Sequence, residues 1–484
     1  MRYFRFKLFI MYDLIIRNGT LIDGSNTPRR VADVAIQSGR VVEIGRISAS
    51  AREEIDARDR IVAPGFIDAH THDDLAVLVE PDMTPKITQG VTTCVCGNCG
   101  VSAAPMPDGR LPEPLNLVSL TRLSRFHNSA DYLDAVRAQP CAVNTVPLLG
   151  HSALRASVMD NVYRAASSTE IEAMRMLAEQ ALRQGFHGIS TGTFYASAAH
   201  ADLDEILAVC EPLRRLGGVF ATHMRDEADQ VIDSINETAA IGRALGVRTI
   251  ISHHKVAGTR NHGRSAETLA VIDALRQQQP MGLDCYPYSA SSTVLRADRV
   301  LIAEKTLITH SKPYPQHAGR EVGELARELG QSVEAVCDLL QPAGAVYFMM
   351  HEADVERILQ YPDTMIGSDG IPLQEKPHPR LWGTFPRVLG HYARDRKLFS
   401  LETAVYKMTG LVAREFNLAG RGMLAPGNAA DVTIFNADTV IDRATFESPT
   451  LPAEGIDCVI VNGVIAWQNG EHRARPGQLI ARNY

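Results

Sequence analysis

Eight apolar, β-rich runs alternate with helical stretches along most of this chain. They lie near residues 61–69, 91–98, 141–149, 186–191, 217–222, 247–252, 281–286 and 364–368. This alternation predicts a parallel barrel, because a parallel neighbour can be reached only through a crossover connection, usually a helix. Active sites of such barrels form at the carboxyl ends of the strands. We therefore predict an α/β fold with a TIM-like (β/α)8 barrel and expect the functional residues at those ends.

Short strand-like runs flank the barrel at both chain termini. Asn18–Gly19 separates two such runs and predicts a β-hairpin, Asn462–Gly463 repeats the pattern, and 430–435 adds a strand. Neither terminal segment can bury a core alone, so we expect both to join in one small β-sandwich domain. The predicted boundaries are 1–62 and 414–484 for the small domain and 63–413 for the barrel, with an insertion at about 288–350.

Composition excludes several functional classes. The 484 residues carry a net charge of -7, which provides no basic surface for nucleic acid. No run is long and apolar enough to span a bilayer, and the start of the chain lacks the features of an export signal. Met11 has the character of a natural start, so residues 1–10 are either a start-site artefact or a disordered arm. Eight scattered cysteines fit reduced thiols, so we expect a cytoplasmic protein. We expect neither nucleic-acid nor membrane partners. The sequence does not determine the oligomeric state, and a monomer is one of the possibilities.

Possible metal ligands stand at the ends of five predicted strands. His70 and His72 follow the first strand at a spacing that directs both imidazoles to the same side. Cys99 ends the second, and it stands closer to the strand mouth than Cys94 or Cys96. The others are His223 after the fifth strand, one of the adjacent pair His253 and His254 after the sixth, and Asp369 after the eighth.

Each of these residues, taken singly, also fits a buried core position, and periodicity does not choose between His253 and His254. Six candidates in register at barrel strand ends are a much less probable coincidence. Imidazole, thiolate and carboxylate together suit zinc better than magnesium or calcium, which prefer oxygen ligands. The sequence therefore predicts a zinc site.

A set of motifs then points to a family. The chain contains, in this order, GFIDAHTHDD, GVTTCVCGNCG, ATHMRDE, SHHK, GSDG and HPRLWGTFPRVLGHY. From about residue 12 to the C-terminus it resembles the D-aminoacylases (N-acyl-D-amino-acid deacylases) of the amidohydrolase superfamily. The resemblance implies a zinc ion held mainly by Cys99, His223 and His253. It also implies an adjacent position, weakly filled or empty, formed by His70, His72 and Asp369.

The resemblance further implies hydrolysis of the amide bond of N-acyl-D-amino acids. Asp369 would act as general base and then general acid in addition to binding metal. Arg380, Lys255 and Tyr286 would clamp the substrate carboxylate, although a surface ion pair or a strand-end phenol is the simpler interpretation of the last two. Phe194, Leu301, Tyr347 and Met350 would form an apolar pocket for the D side chain, although aromatic and methionine residues are more often core.

Three alternatives remain at this stage. Deacylases of N-acyl-D-aspartate or N-acyl-D-glutamate share this framework, and Arg296 or Arg299 could neutralise a second carboxylate, although we expect both to be exposed. A cyclic amidohydrolase such as a dihydropyrimidinase is disfavoured, because the fourth strand, 188–194, lacks the lysine that bridges two metals there. A non-catalytic assembly protein of the same fold would be expected to lose ligands, whereas this chain keeps all six.

Overall fold

The computed structural model describes residues 11–109, 111–118, 126–372 and 374–482. The prediction about residues 1–10 lies outside this range. The strands, in chain order, are β1 (Met11–Leu21), β2 (Arg30–Gln37), β3 (Arg40–Gly45), β4 (Ser50–Asp56), β5 (Ile61–Pro64), β6 (Phe66–Asp68), β7 (Val91–Cys96), β8 (Asn144–Pro147), β9 (Leu149–Gly150), β10 (Gly188–Gly192), β11 (Val219–His223), β12 (Arg248–Ile251), β13 (Met281–Cys285), β14 (Ala290–Val294), β15 (Lys305–Ser311), β16 (Ala343–Phe348), β17 (Thr364–Ile366), β18 (Val432–Phe435), β19 (Ile456–Val461), β20 (Val464–Gln468) and β21 (Glu471–His472).

The helices of the same residues connect most of the barrel strands. They are α1 (Ala76–Val79), α2 (Thr84–Ile87), α3 (Leu115–Val118), α4 (Ser129–Ala138), α5 (His151–Val158), α6 (Ser168–Gln184), α7 (Leu203–Cys210), α8 (Pro212–Leu216), α9 (Val231–Leu245), α10 (Ser265–Arg276), α11 (Ala297–Val300), α12 (Val322–Leu329), α13 (Val333–Leu340), α14 (Glu352–Gln360), α15 (Arg380–Arg387), α16 (Leu401–Met408) and α17 (Gly410–Glu415). Short 3-10 segments lie at Thr259–Asn261 and Pro315–His317, and a π-helical segment at Val388–Asp395. None of these helices is long and apolar enough to cross a membrane.

Helix α6 shows how local sequence fixes one crossover. Ser167 caps its first turn and exchanges hydrogen bonds with Glu170, so the helix has a defined start. Gly185, with φ at 118°, ends it in a left-handed conformation that glycine adopts without strain. The residues between them bury one face at helical spacing, through Met174, Ala178, Ala181 and Leu182.

The barrel consists of β6, β7, the pair β8 and β9, β10, β11, β12, β13 and β17. All of their pairings are parallel. The last strand meets the first through a parallel bridge between Thr71 and Gly370 and a hydrogen bond from the amide of Ala69 to the carbonyl of Ile366. The predicted (β/α)8 barrel is confirmed.

The first predicted run, 61–69, contains two strands rather than one. It divides at Gly65, where a Cβ atom would lie 2.2 Å from the side chain of Thr92. Before the glycine, β5 pairs with β1 and β18, and after it, β6 pairs with β7. A single apolar run therefore serves two sheets.

Strands from both termini form one nine-stranded sheet. Its order is β21-β20-β19-β18-β5-β1-β2-β3, with β4 also paired to β1, and one cluster of buried apolar residues from both ends of the chain packs on it. This confirms the small β domain built from both termini. Asn462–Gly463 forms the predicted two-residue hairpin, with Val461 opposite Val464.

The hairpin predicted at Asn18–Gly19 is wrong. Strand β1 runs through this pair, and the register against β2 shifts between Ile16 and Gly19. Asn18 adopts a positive φ of 62° and donates its backbone N–H to Asp33 Oδ1 at 2.9 Å. The dipeptide makes a β-bulge instead of a turn, and the actual turn of this region is the Ser38–Gly39 pair between β2 and β3.

A three-stranded antiparallel sheet interrupts the barrel between β13 and β17. Its order is β14-β16-β15, and helices α11 to α13 accompany it. It follows the seventh barrel strand, so it stands at the carboxyl end of the barrel, where loops build binding sites.

Candidate metal centre

All six predicted ligands lie at carboxyl ends of barrel strands. His70 and His72 follow β6, Cys99 follows β7, and His223 is the last residue of β11. His253 follows β12 and Asp369 follows β17. The parallel barrel thus brings the ends of five strands, which are distant in sequence, together at one end of the barrel.

Three of these residues have an unusual backbone conformation. The φ angles of Cys99, His253 and Asp369 are 55°, 38° and 49°. Residues other than glycine adopt this region at a cost of roughly 1–3 kcal/mol, and such strain concentrates at functional sites. Gly97, two residues before Cys99, allows the chain to pass close to Leu148, because a Cβ atom there would lie 1.9 Å from the carbonyl oxygen of Leu148. The backbone therefore leaves the regular β conformation at three of the strand ends that carry donor atoms.

The donor atoms converge on the thiol of Cys99. Its Sγ atom lies 3.2 Å from Nε2 of His70 and 3.2 Å from Nε2 of His253. Asp369 Oδ1 lies 3.5 Å from His70 Nε2 and 3.2 Å from His72 Nε2. Donor atoms of His70, Cys99, His253 and Asp369 all fall within 4.8 Å of one another. This is a spacing that one or two cations could bridge.

His223 belongs to a second donor group with Glu227 and His253, whose donor atoms also fall within 4.8 Å of one another. Its ring centroid is 4.4 Å from that of His253. Both of its ring nitrogens are buried and have no hydrogen-bond partner among the described residues. Glu227 Oε2 lies 3.5 Å from Nε2. Buried nitrogen atoms without a hydrogen bond are costly, so this imidazole is available to a ligand such as a metal ion.

Burial keeps the imidazoles of His70 and His223 uncharged. It lowers the pKa of His70 to about 3 and that of His223 well below the ordinary value. The neutral imidazole is the form that binds metal. Burial also raises the pKa of the Cys99 thiol, a direction that a bound cation reverses. The donor set therefore fits a metal ion.

Glu227 is a buried member of the site to which we assigned no role from the sequence. Its Oε1 atom accepts a hydrogen bond from Lys255 Nζ at 2.5 Å and lies 3.1 Å from Nδ1 of His253. Burial raises its pKa, but Lys255, His223 and His253 outweigh that effect and hold the pKa well below its usual value. The residue lies in the ATHMRDE motif, four positions after His223. This short separation from a predicted ligand could have identified Glu227 as a site residue.

Asp284 is a second such residue. Its Oδ1 atom lies 3.4 Å from Nδ1 of His70 and accepts the backbone N–H of His253 at 2.9 Å. Burial raises the pKa of this carboxyl group to about 7. Carboxylates behind metal-binding histidines commonly fix the orientation of the ring, and the position of Asp284 suits this role.

The predicted carboxylate clamp is only partly brought together. Arg380 is fully buried; its Nη1 lies 2.9 Å from Asp369 Oδ2, and its guanidinium lies 4.5 Å from the ring of Tyr286. The hydroxyl of Tyr286 is buried without a hydrogen-bond partner in the described part of the chain, and so is Arg380 Nε. Lys255 lies 5.6 Å from the same ring, but its ammonium group is engaged by Glu227.

The predicted side-chain pocket divides in two. Phe194 stacks on His223 at 4.8 Å, and Met350 lines a small cavity beside Lys255 and Tyr286. Leu301 is 64% exposed and lines a different cavity, next to Ile302 and Asn261.

Tyr347 is part of the core of the inserted sheet. Its hydroxyl donates to the carbonyl of Val294 at 2.7 Å and accepts the N–H of Arg296 at 2.8 Å. The structure therefore places Phe194 and Met350 near the centre, and Leu301 and Tyr347 apart from it.

The expectation that Arg299 is exposed is wrong. Only 6% of this residue is accessible, because its guanidinium packs 4.5 Å from the Phe194 ring and lies 3.5 Å from Glu227 Oε2. Arg296 is partly buried, lies 4.8 Å from the same ring and pairs with Asp298 at 2.9 Å. An aromatic face and a carboxylate together compensate for the burial of a guanidinium.

The chain is similar to known proteins over nearly its full length. The model of the amidohydrolase family matches residues 53–245 and 238–466. A D-aminoacylase from Alcaligenes xylosoxydans xylosoxydans is 55% identical over 97% of this chain and 98% of its own. An N-acyl-D-aspartate deacylase from the same organism is 49% identical over 97% of this chain and 95% of its own.

A solved structure gives the same result in three dimensions. It is an N-acyl-D-glutamate deacylase from Bordetella bronchiseptica, complexed with zinc and a phosphonate inhibitor that mimics the tetrahedral intermediate. It superposes with a TM-score of 0.95 at 42% identity, over 98% of this chain and all of that one.

Proposed function

The chain belongs to the amidohydrolase family, and from that premise we propose that it hydrolyses the amide bond of N-acyl-D-amino acids to a carboxylate and a free D-amino acid. One observation carries the proposal: four converging metal donors, from His70, Cys99, His253 and Asp369, lie beside a buried guanidinium, with Arg380 Nη1 2.9 Å from Asp369 Oδ2. The first feature suits amide hydrolysis and the second suits a substrate carboxylate. The D-aminoacylase relative supports the substrate class.

We assign the cofactor as zinc. Cys99, His223 and His253 would hold it, and His70, His72 and Asp369 would form the adjacent position. The zinc-complexed deacylase structure supports this identity. When bound, zinc would lower the pKa of water to about 7 and polarise the acyl carbonyl.

Asp369 is proposed as the group that moves the proton. Burial raises its pKa, but Arg380 and the neighbouring histidines outweigh this and keep the pKa well below its ordinary value, so the group is ionised, as a proton acceptor must be. It would take the proton of the attacking water and return it to the departing nitrogen. The Nε2 atom of His72 lies 3.2 Å from the Oδ1 atom of this carboxylate.

Arg380 and Tyr286 are proposed to receive the substrate carboxylate. A guanidinium offers two parallel donors, and the buried Tyr286 hydroxyl adds a third. With the carboxylate fixed there and the acyl carbon at the metal centre, only one hand of the α-carbon directs its side chain towards Phe194 and Met350. The apolar character of these two residues favours an apolar D side chain.

A second candidate is deacylation of N-acyl-D-aspartate or N-acyl-D-glutamate. Buried Arg299 favours it, because a cation lies 4.5 Å from the ring of Phe194. Against it, Glu227 pairs with both Lys255 and Arg299 and so compensates part of the positive charge beside Phe194. We therefore place the apolar substrates first.

The test is amine release from paired N-acetyl-D- and N-acetyl-L-amino acids, with methionine, leucine, phenylalanine, aspartate and glutamate as the amino acid. We expect release from the D forms of the apolar set, loss of release with a zinc chelator, and recovery when zinc is added back. Release from the acidic D pair alone would move the specificity to the second candidate. Failure of every pair with zinc-loaded protein would overturn the proposal.

We also propose a cytoplasmic location and two domains with the boundaries given above. The first is supported by eight cysteines that are all buried free thiols. The second is supported by the nine-stranded sheet, which joins strands from both termini.

A further inference from the structure

The ammonium group of Lys86 is fully buried and lies among residues that flank three proposed metal ligands. Its Nζ atom donates to Asp68 Oδ2 and to Ser368 Oγ, at 2.8 Å each, and lies 3.1 Å from Asp73 Oδ2. Each of these three partners stands one or two positions from a ligand of the adjacent metal position. Those ligands are His70, His72 and Asp369. One cation therefore contacts a sequence neighbour of every ligand at that position.

The same network joins the two strands that close the barrel, β6 and β17. These strands belong to different sheets, and an isolated bridge between Thr71 and Gly370 links the residues that follow them. Asp68 Oδ1 adds further links, because it accepts the backbone N–H of Ser368 at 2.7 Å and that of His70 at 3.3 Å. The relative position of the two strand ends therefore depends on the carboxylate of Asp68, which is also the partner of the buried ammonium group.

Lys86 keeps its positive charge in this environment. Burial lowers its pKa, but Asp68 and Asp73 outweigh that effect and raise the pKa above its ordinary value. The ammonium group can therefore make charge-assisted hydrogen bonds, which are about twice as strong as those between neutral groups. A buried ion cluster is weak evidence for a role in stability, because the cost of removing charges from water can exceed their mutual attraction. Its location beside the ligands favours a role in placing them.

We propose that Lys86 is a positioning residue for the adjacent metal position. Through Asp68 and Ser368 it fixes the two strand ends that carry His70 and Asp369. It thereby sets the distance between these two donors, whose Nε2 and Oδ1 atoms lie 3.5 Å apart. The inference rests on the metal assignment of the proposed function.

The ligands of the main position lie outside this network. Among the described residues, the hydrogen bonds of the Lys86 ammonium group go to Asp68 and Ser368. The main ligands stand at the ends of three other strands, β7, β11 and β12. They are Cys99, His223 and His253. Loss of Lys86 should therefore weaken the adjacent position and leave the main position intact.

The test is the zinc content of the full-length protein, loaded with zinc and then dialysed against chelator buffers that fix the free zinc concentration. We expect the wild type to keep one zinc ion at low free zinc and to take up a second at a higher concentration. K86M should need about tenfold more free zinc for the second ion and no more for the first, because outer partners of metal ligands contribute about 10–100-fold to affinity. Zinc content does not require turnover, so absence of hydrolysis would overturn the proposed function and leave this test valid.

Lys407 provides the matched control. It is also a fully buried lysine, and its ammonium group donates to the carbonyl of Thr364, at the opposite end of β17. K407M therefore removes a comparable buried group from the same strand without touching the network of Lys86. We expect both zinc ions to bind K407M as they bind the wild type.

A milder pair of variants covers the case in which K86M does not fold by circular dichroism. S368A keeps every charge, removes the hydroxyl that accepts from Lys86, and should raise the free zinc needed for the second ion by about threefold. Its control is S252A. Ser252 directly precedes His253, as Ser368 directly precedes Asp369, but its buried hydroxyl has no hydrogen-bond partner among the described residues.

Three results would overturn the proposal. The wild type takes up one zinc ion at every free zinc concentration, K86M weakens both ions equally, or the second ion binds K86M as it binds K407M. If K86M does not fold, equal binding of the second ion by S368A and S252A overturns the proposal.

Discussion

Arg380 and Asp369 form a buried ion pair, with Nη1 2.9 Å from Oδ2. The pair links the two halves of the proposed reaction, since Asp369 moves the proton and Arg380 binds the substrate carboxylate. An incoming carboxylate would also interact with the positive charge of Arg380, so Arg380 would lower the pKa of Asp369 less strongly. We expect this to raise the basicity of Asp369 only when substrate is bound, which would couple recognition to proton transfer.

Replacing Asp369 with asparagine tests its role. D369N keeps the shape of the side chain and removes the base, so turnover should fall by about a thousandfold. Zinc content should stay near that of the wild type, because the main position rests on Cys99, His223 and His253. The measurements are amine release and metal analysis of the same preparation. Near-normal turnover would contradict the assignment.

Replacing Glu227 with glutamine tests the role of the carboxylate behind the metal centre. E227Q removes the charge that lies 3.1 Å from His253 Nδ1, and outer carboxylates of this kind typically contribute 10–100-fold to metal affinity. We therefore expect zinc to dissociate at about tenfold lower chelator concentration. Glu237, which pairs with Arg225 away from the donor atoms, provides the matched control E237Q. Equal zinc retention in both variants would make Glu227 a structural residue only.

Replacing Tyr347 with phenylalanine tests whether this residue stabilises the inserted sheet or selects substrates. Its buried hydroxyl makes two hydrogen bonds within the inserted sheet, so Y347F should lower the free energy of unfolding by about 1–3 kcal/mol. The ranking of substrates by kcat/KM should not change, because the ring stays in place and the hydroxyl does not face the metal centre. Phe194→Leu is the contrasting variant, and it should alter the ranking. A changed ranking of substrates in Y347F would show that Tyr347 contributes to the pocket for the substrate side chain.

Five of the six proposed ligands could be found from strand positions in the sequence, because the barrel brings the strand ends together, whereas the choice of His253 over His254 comes from the family resemblance. Every parallel strand ends at the same mouth, so the position of a histidine or cysteine along its strand predicts its location. Glu227, Asp284 and Arg299 could not be placed in this way. Their burial depends on contacts with residues from other elements, and charged side chains are ordinarily exposed.

The two Asn-Gly pairs make the same point for the fold. Asn462–Gly463 closes a hairpin, whereas Asn18–Gly19 lies inside a strand. Their local chemistry is the same, and both asparagines adopt a positive φ. They differ in the neighbouring strands: β1 pairs with β2 on one side and with β4 and β5 on the other, so its chain continues straight through the pair. Pairing between distant segments decides whether such a dipeptide turns the chain.

Lys407 makes the stability of the protein depend on pH in alkaline solution. The residue is fully buried, and its ammonium group donates to the carbonyls of Tyr361, Pro362 and Thr364. Burial lowers its pKa from 10.5 to about 7. Between these two pH values the unfolded chain binds more protons at this position than the folded protein does. Stability therefore rises with pH across this window, by at most about 1.4 kcal/mol per pH unit.

The variant K407M removes this contribution. We expect the free energy of unfolding of the wild type, measured by chemical denaturation, to increase relative to that of K407M as the pH rises above about 7. Lys312 is exposed, so K312M should follow the wild type throughout. Taking differences between variants cancels the titration of all other groups. If the free energies of unfolding of the wild type and K407M change with pH in parallel, Lys407 stays protonated in the folded protein. Its three carbonyl partners would then stabilise the ammonium group by more than burial destabilises it.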